Sequence, residues 1–483
     1  MDLTLTYDRE KMDRLDSVAV MKLINKHRRY AVPEYRRNMD YYLGSHKILN
    51  NKRIEEDAPN AQVVANHAKD ISDTASGYFM GSPITYRLTG HPDEPQAQET
   101  FERLMEALEI ATVDDDDQEN ALTLSICGKC YEYIYTEPGG NDLMEKSIDP
   151  ANAFLVYDQS IEHKELFGVY YYRKRFKTVE GTKFYKTEVI VMTDTEERFY
   201  SVRSGDEDIQ IPPYEVRLHN IGQVPLIEYR NNKYAIGDFA QQIGLIDAYN
   251  TMTSDRINDK EQFIDAILVL YGAVLGDNQE ESDAALDDLQ KRKLLELPAE
   301  GSRAEYLVRQ LDESGMEILR DALKEDIYTF SHVPNLTDEN FAGNSSGVAM
   351  EYKLLGLEML TKTKERWYRR GLRKRLEIFM RHIGILSPDG AGAFKESDID
   401  ITFSRSLPKN LLELSQIMSY LDGTVSQKTL LALLPFVENP DEEVEALEAE
   451  KAAELESQRA AFGFAGAVEE EEAANTPPEG LDG

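Results

Sequence analysis

DFAQQIGLIDAYNTMTSDRINDKEQF, running from Asp238 to Phe263, is the stretch on which the fold turns. Phe239, Ile243, Ile246, Tyr249, Thr253 and Ile257 recur at steps of three and four. That spacing predicts one long helix with an apolar stripe and a polar opposite face. A second helix is predicted from Ser314 to His332. Met316, Leu319, Leu323, Ile327 and Phe330 form its stripe, Asp312 or Ser314 is a natural N-cap, and Pro334 stops it. Between the two lies an insert, about Asp265 to Leu311. It holds the apolar strand AILVLYGAVLG (Ala266 to Gly276), the acidic run DNQEESDAALDD, and two more predicted strands, KLLELP and AEYLVRQ. Two helices flanking a compact insert can pair antiparallel and hold it at their far end, as a stalk carries a small head.

Towards the N-terminus, residues 1 to about 60 read as short, tyrosine-rich helices broken at Pro33 and Gly44. Asn66 to Phe79 reads as a helix that Gly81, Ser82 and Pro83 terminate. Ile84 to Leu88 alternates like a strand, and Phe101 to Leu108 is a further short helix. Between 130 and 230 the period changes. CYEYIYTE, AFLVYD, FGVYYYRKRF, FYKTEVIVMTD, ERFYSVRS and VPLIEY are aromatic and β-branched runs separated by turns, an antiparallel β-rich unit. The first 230 residues are therefore a mixed α/β domain, and with the helix pair and its insert the fold class of the chain is α+β.

Towards the C-terminus, PNLTDENFAGNSSG (Pro334 to Gly347) is a polar, glycine-containing loop. It leads into a very long helix, Val348 to about Ile385. Lys362 to Arg381 carries nine basic residues against two acids, Glu365 and Glu377. Asp398 to Phe403 is a strand. Leu411 to Leu421 and Gln427 to Leu434 are short helices, the second capped by Ser426. Residues 438–483 carry 15 acids against Lys451 and Arg459, and the end of this tail is predicted to be disordered.

The 483 residues carry a net charge of −35. Such a chain repels nucleic acid, since non-specific affinity comes from counterion release by Lys and Arg. The N-terminal residues lack the apolar stretch of a secretory signal. The longest apolar run, Ala266 to Gly276, is too short to span a bilayer. Two cysteines make no disulfide framework, so a reducing, cytoplasmic setting is expected.

Four features suggest chemistry, and each has a plainer reading. Cys127 and Cys130 form a CxxC that can be redox-active or half a zinc site. No second CxxC exists, the histidines are scattered, and the motif sits in an apparent strand, SICGKCYEYIY. Ordinary core cysteines are the better reading. Gly343 to Gly347 fits GxSxG, but the preceding NLTDENFA lacks strand character, so a loop with an N-cap at Ser345 or Ser346 is preferred. Asp114 to Asp117, and Asp398 with Asp400, suggest nuclease carboxylates; four consecutive acids are read instead as a solvated loop. The basic run Lys362, Lys364, Arg366, Arg369, Arg370, Arg373, Lys374 and Arg375 can contact DNA, but subunit–subunit ion pairing and a solvated helix face account for it better. No GxxxxGK[ST] is present, which excludes a P-loop ATPase by that motif. No catalytic residue, cofactor or metal is expected.

Three stretches carry a resemblance. The first is Asn66, Asp70, Ile71, Asp73, Gly77, Tyr78, Gly81, Pro83 and Ile84. The second is Gly222, Pro225, Glu228, Asn231 and Asn232, followed by Asp247, Tyr249, Asn250, Ser254, Asp255, Asn258 and Asp259. The third is Asn340, Phe341, Gly343, Asn344, Ser346, Gly347 and Val348. In this order, over roughly residues 20 to 455, the chain resembles the portal proteins of long-tailed, siphophage-type bacteriophages.

The resemblance implies a twelve-subunit ring at one capsid vertex of the virion, assembled in the host cytoplasm, through which double-stranded DNA passes without sequence preference. It implies a wing (1–237), a first stem helix (238–263), a clip (264–312), a second stem helix (313–333), a tunnel loop (334–347), a long wing helix with a returning strand (348–408), a helical crown (409–458) and an acidic tail (459–483). The implied partners are further copies of the chain, the terminase large subunit, a head-completion or adaptor protein, and scaffolding and major capsid proteins, with no membrane. Asn340, Phe341, Asn344 and Ser345 would then approach DNA. Arg256 and Lys260 would face the channel or pair between subunits, and Arg366, Arg369, Arg370 and Arg373 would meet a neighbour or DNA. Twelve copies would total about −420 in formal charge, so phosphate is held weakly and DNA can slide. The competing functions are a nuclease or other DNA-processing part of the packaging machine, and an interaction scaffold that uses the acidic tail.

Overall fold

Aspartate, asparagine and proline set the starts of the N-terminal helices. Asp16 accepts the N–H of Ala19 at 2.8 Å and opens α1 (Ser17–Tyr30). Pro33 lies in the first turn of α2 (Val32–Tyr42), where a missing N–H costs nothing. Asn66 accepts the N–H of Lys69 at 3.0 Å and opens α3 (His67–Met80). These are features of a computed structural model that describes residues 4–52, 59–90, 94–137, 139–177, 183–262, 267–271, 303–307, 313–336, 347–386, 394–405, 411–421 and 423–431, with isolated positions between 278 and 283 and between 434 and 451.

Two helices follow, α4 (Pro95–Ile110) and α5 (Val113–Cys127). Both correct the sequence reading. The short helix expected at Phe101 to Leu108 extends a turn and a half further towards the N-terminus. Asp114 to Asp117 make no solvated loop but the opening of α5, with Asp116 and Asp117 buried. Cys127 ends that helix and is not in a strand; Gly128, at φ +84°, turns the chain into the strand that carries Cys130.

The strands are β1 (Leu5–Thr6), β2 (Thr85–Leu88), β3 (Lys129–Thr136), β4 (Leu143–Ile148), β5 (Ala153–Tyr157), β6 (Glu165–Lys177), β7 (Lys183–Met192), β8 (Glu196–Arg203), β9 (Glu215–Leu218) and β10 (Leu226–Arg230). Six form one sheet in the order β1-β5-β6-β7-β8-β9, antiparallel except where β1 runs parallel to β5. Three form a second sheet, β10-β3-β4. Alternation puts Val169 and Tyr171 of β6, Val189 and Val191 of β7, and Tyr200 and Val202 of β8 on one buried face, which α1 covers with Val20, Met21 and Ile24.

The chain continues through α6 (Ile243–Gln262), β11 (Ile267–Tyr271), β12 (Arg303–Leu307), α7 (Glu313–Ser331), α8 (Gly347–Leu386), β13 (Ile399–Thr402), α9 (Leu411–Leu421) and α10 (Gln427–Leu431). The helix α6 begins at Ile243, not at Asp238; residues 239–242 are turns. Strand β13 pairs antiparallel with β2 across more than 300 residues of sequence. Leu104 and Leu108 of α4, Leu124 of α5, Tyr229 of β10 and Leu372, Leu376 and Phe379 of α8 share a second buried cluster with this small sheet.

The backbone divides into two units, Met1–Glu339 with Lys353–Ser406, and Asn340–Tyr352 with Leu407–Gly483. In the second unit, Gly423 (φ +76°) follows α9, and the Ser426 hydroxyl accepts the N–H of Thr429 at 3.3 Å at the start of α10. The predicted strand KLLELP, the proposed caps Asp312 and Ser345, and the acidic tail beyond 451 lie outside the described residues.

Candidate functional site

The helix pair α6 and α7 is held in an unexpected way. The sequence assigns its apolar stripe to the core, and Ile246 is indeed buried, but Ile257 is 37% exposed. Apart from Ile246, the buried positions along α6 are polar, Asn250, Ser254 and Asn258, with Gln242 buried just before the helix. Asn250 Oδ1 accepts the N–H of Ala65 (2.9 Å), Ser254 Oγ that of Val63 (3.0 Å) and Asn258 Oδ1 that of Ala61 (2.6 Å). One side chain per helical turn thus takes every second amide of an extended segment lying along the helix. Amides turned away from water must find acceptors, and for this half-buried segment α6 supplies them in place of a neighbouring strand. Asn250 Nδ2 also meets His46 Nδ1 at 2.8 Å. The sequence does contain this signal, a polar residue at each turn, but helical spacing of polar groups ordinarily means a solvated face.

Aromatic groups fix the other side. The His67 ring meets Tyr249 of α6 and Tyr328 of α7 edge-on, with centroids 4.8 and 5.6 Å away. Tyr328 donates to Asp70 (2.7 Å), and Tyr41 donates to Asp247 (2.6 Å). Tyr249 lies near the start of α6 and Tyr328 near the end of α7. The opposite ends lead into β11 and β12, which pair antiparallel from Ile267↔Leu307 to Tyr271↔Arg303. The two helices therefore run antiparallel, with the strand pair at their far end. Outward from them point Ile318 (71% exposed) and Phe330 (61%). Arg256 is half-buried and Lys260 exposed. Asn340, Phe341, Asn344 and Ser345 lie outside the described residues.

The basic helix α8 is a solvated face only in part. Lys364 and Arg375 are buried. Lys364 bonds Asp238, which also accepts from Ser125 Oγ (2.7 Å) and Asn231 Nδ2 (2.8 Å). Arg375 forks onto Asp117 (2.9 and 2.7 Å) and reaches Glu132 (3.1 Å from Nε). Tyr229 donates to Glu132 at 2.7 Å and Tyr368 to Asp117 at 2.5 Å. Glu145 stands 3.1 Å from Arg375 Nε but has no hydrogen bond from it, because that N–H is aimed at Glu132. Three buried carboxyls face one guanidinium, and burial drives the Glu145 pKa up to about 11 against the pull of Arg375. Burial pushes the Asp117 pKa up as well, against the same guanidinium. Glu228 is the reverse case. Burial opposes its ionisation, but Lys129 and Arg230 outweigh burial and hold it at about 2.

Close backbone approaches complete this anchor. A Cβ on Gly371 of α8 would stand 2.2 Å from Tyr229 Cε1, and one on Gly237 would stand 2.3 Å from the Ile126 carbonyl oxygen. Of the four arginines singled out, Arg369 is engaged within the chain: it donates to the Ile401 carbonyl (3.0 Å) and lies over Phe403. Arg366, Arg370 and Arg373 are exposed. Burial pushes the thiols of Cys127 and Cys130 well up, which leaves them unreactive. Asp398 accepts the N–H of Lys395 (2.8 Å) and so serves a turn. No group of His, Cys, Asp and Glu that could hold a metal occurs among the described residues, and no helix among them is long and apolar enough to cross a membrane.

Against known proteins, a family model described as phage portal protein, SPP1 Gp6-like, matches residues 21–457. The portal protein of Bacillus phage SPP1 is 26% identical over 465 residues, covering 90% of this chain and 86% of that protein. The portal protein of Clostridium phage phiCD119 is 25% identical over 340 residues, covering 67% of this chain and 71% of that protein.

Proposed function

Because the chain belongs to the SPP1 Gp6-like family of phage portal proteins, a structural family with a role at the capsid portal, we propose that twelve copies close into a ring that conducts double-stranded DNA during packaging and ejection. The observation that carries this reading is the antiparallel pair α6 and α7 with paired strands at its far end. Copies of such a stalk, set side by side, make the wall of a tube with its strand-bearing ends at one rim.

In this reading α6 and α7 are the stem and residues 264–312 the clip. The clip would receive the terminase large subunit first and a head-completion or adaptor protein later. Residues 1–237 and most of α8 form the wing, 409–458 the crown, and 334–347 a loop that narrows the bore. Asn340, Phe341, Asn344 and Ser345 on that loop would meet DNA, and scaffolding and major capsid proteins would meet the assembled ring inside the host cell. The buried anchor of α8 supports this arrangement. The Arg375 and Lys364 networks fix the helix that follows residues 334–347 to the core of the wing.

The net charge of −35 suits a conduit that must not grip its cargo. Incubation of the purified protein with linear duplex DNA and magnesium or manganese tests the reading against its competitor. The conduit predicts intact DNA at every protein concentration. Metal-dependent cleavage that copurifies with the chain would favour a nuclease.

A further inference from the structure

The exposed arginines of α8 have the same spacing as a set of exposed glutamates on α4. Arg366, Arg370 and Arg373 follow one another at steps of four and three along the side of α8 opposite its buried Lys364, Tyr368 and Leu372. Glu102, Glu106 and Glu109 follow at the same steps along α4, opposite Leu104 and Leu108. At 1.5 Å per residue each triad spans roughly 10 Å. Among the described residues none of these six forms an ion pair, whereas Lys364, Lys374 and Arg375 elsewhere on α8, and Arg405, are all paired within the subunit. Beside Arg370, which lies 4.2 Å over the Trp367 ring, opens a cavity of about 380 Å³ lined also by Arg230, Gly371 and Lys374. Next to Glu109, Ile110 is 45% exposed.

We propose that the glutamate triad of α4 on one subunit docks against the arginine triad of α8 on the next. Both helices bury their inner faces in one hydrophobic cluster, so their outer faces are separate surfaces of one subunit, as a heterologous ring contact requires. Opposite charge at equal spacing fixes the register. Aligned Arg366 to Glu102, Arg370 to Glu106 and Arg373 to Glu109, the pairing also brings Ile110 towards the Gly371 and Lys374 end of the cavity. The inference rests on the ring reading and names the surface that closes the ring.

The test is a charge swap in the full chain, read by native mass measurement and sedimentation. R366E/R370E and E102R/E106R should each raise the protein concentration needed for half-assembly by on the order of tenfold. The four substitutions combined should restore most of the loss. Among the described residues none of these side chains forms an ion pair within the subunit, so thermal unfolding of the dissociated subunit should shift little. As a second handle, raising salt should weaken wild-type assembly more than that of the neutral R366Q/R370Q chain. Assembly that both reversals leave unchanged would overturn the proposal. So would an arginine reversal that assembles normally but loses DNA, which would make the stripe a nucleic-acid contact. A wild-type chain that forms no ring defeats the ring reading itself, independently of this surface.

Discussion

Asp117, Glu132, Glu145 and Arg375 show at the scale of single residues what composition cannot. Asp117 and Arg375 lie 258 positions apart, so the run Asp114 to Asp117 reads as a solvated loop and the basic helix as a solvated face. Their pairing arises only when α5 and α8 close on one core. Removing a buried partner leaves uncompensated charge, so Arg375→Met should destabilise by about 3–5 kcal/mol in denaturant unfolding. Glu145→Gln should behave oppositely. The folded Glu145 carboxyl holds its proton up to about 11, whereas the unfolded one releases it near its ordinary value of 4.5. Folded chains thus bind more protons than unfolded ones across that window, and stability falls as pH rises through it. The glutamine variant lacks this decline and should be the more stable chain above neutral pH. In acid, two other groups act. His27, pushed to about 3 by burial, then by Lys129 and Arg28, refuses a proton that the unfolded imidazole takes below 6.5. Glu228, held at about 2, does the same below 4.5. Both lower stability as pH falls, so thermal unfolding scans should show a steep loss below pH 4.5. A flat profile there would contradict these environments.

Among the elements, the ones with strong periodicity were legible. The strands between 130 and 230, the two helices of the stalk and the long α8 all stand close to where spacing places them. What escaped is how α6 faces its neighbours. Asn250, Ser254 and Asn258 serve backbone amides, and backbone amides belong to every sequence, so residues 61–65 carry no pattern to announce the contact. The same three residues lie within the stretches that carry the family resemblance, and this ladder is a physical reason for their chemistry. Asn250→Ala should remove the acceptor of the half-buried Ala65 amide together with the partner of His46 and cost about 1–3 kcal/mol. Hydrogen exchange should then quicken at Ala61, Val63 and Ala65 together. Quickening at Ala65 alone would mean that the ladder is three separate bonds. At α8, Gly371→Ala drives a methyl into the Tyr229 ring and should cost about 1–3 kcal/mol.

For the whole molecule, the sequence carries the family and the order of elements, while the proposed bore and ring number are properties of an assembly of many copies. Deleting residues 460–483 should leave assembly intact, because the stalk and the α8 anchor lie elsewhere. Loss of assembly would favour a scaffold acting through its acidic tail. Class averages from electron microscopy of the purified full-length protein test the central claim most directly. The account predicts annular particles of about twelve-fold symmetry, with a central hole that admits duplex DNA. Compact monomers or solid, closed particles at every protein concentration would contradict it.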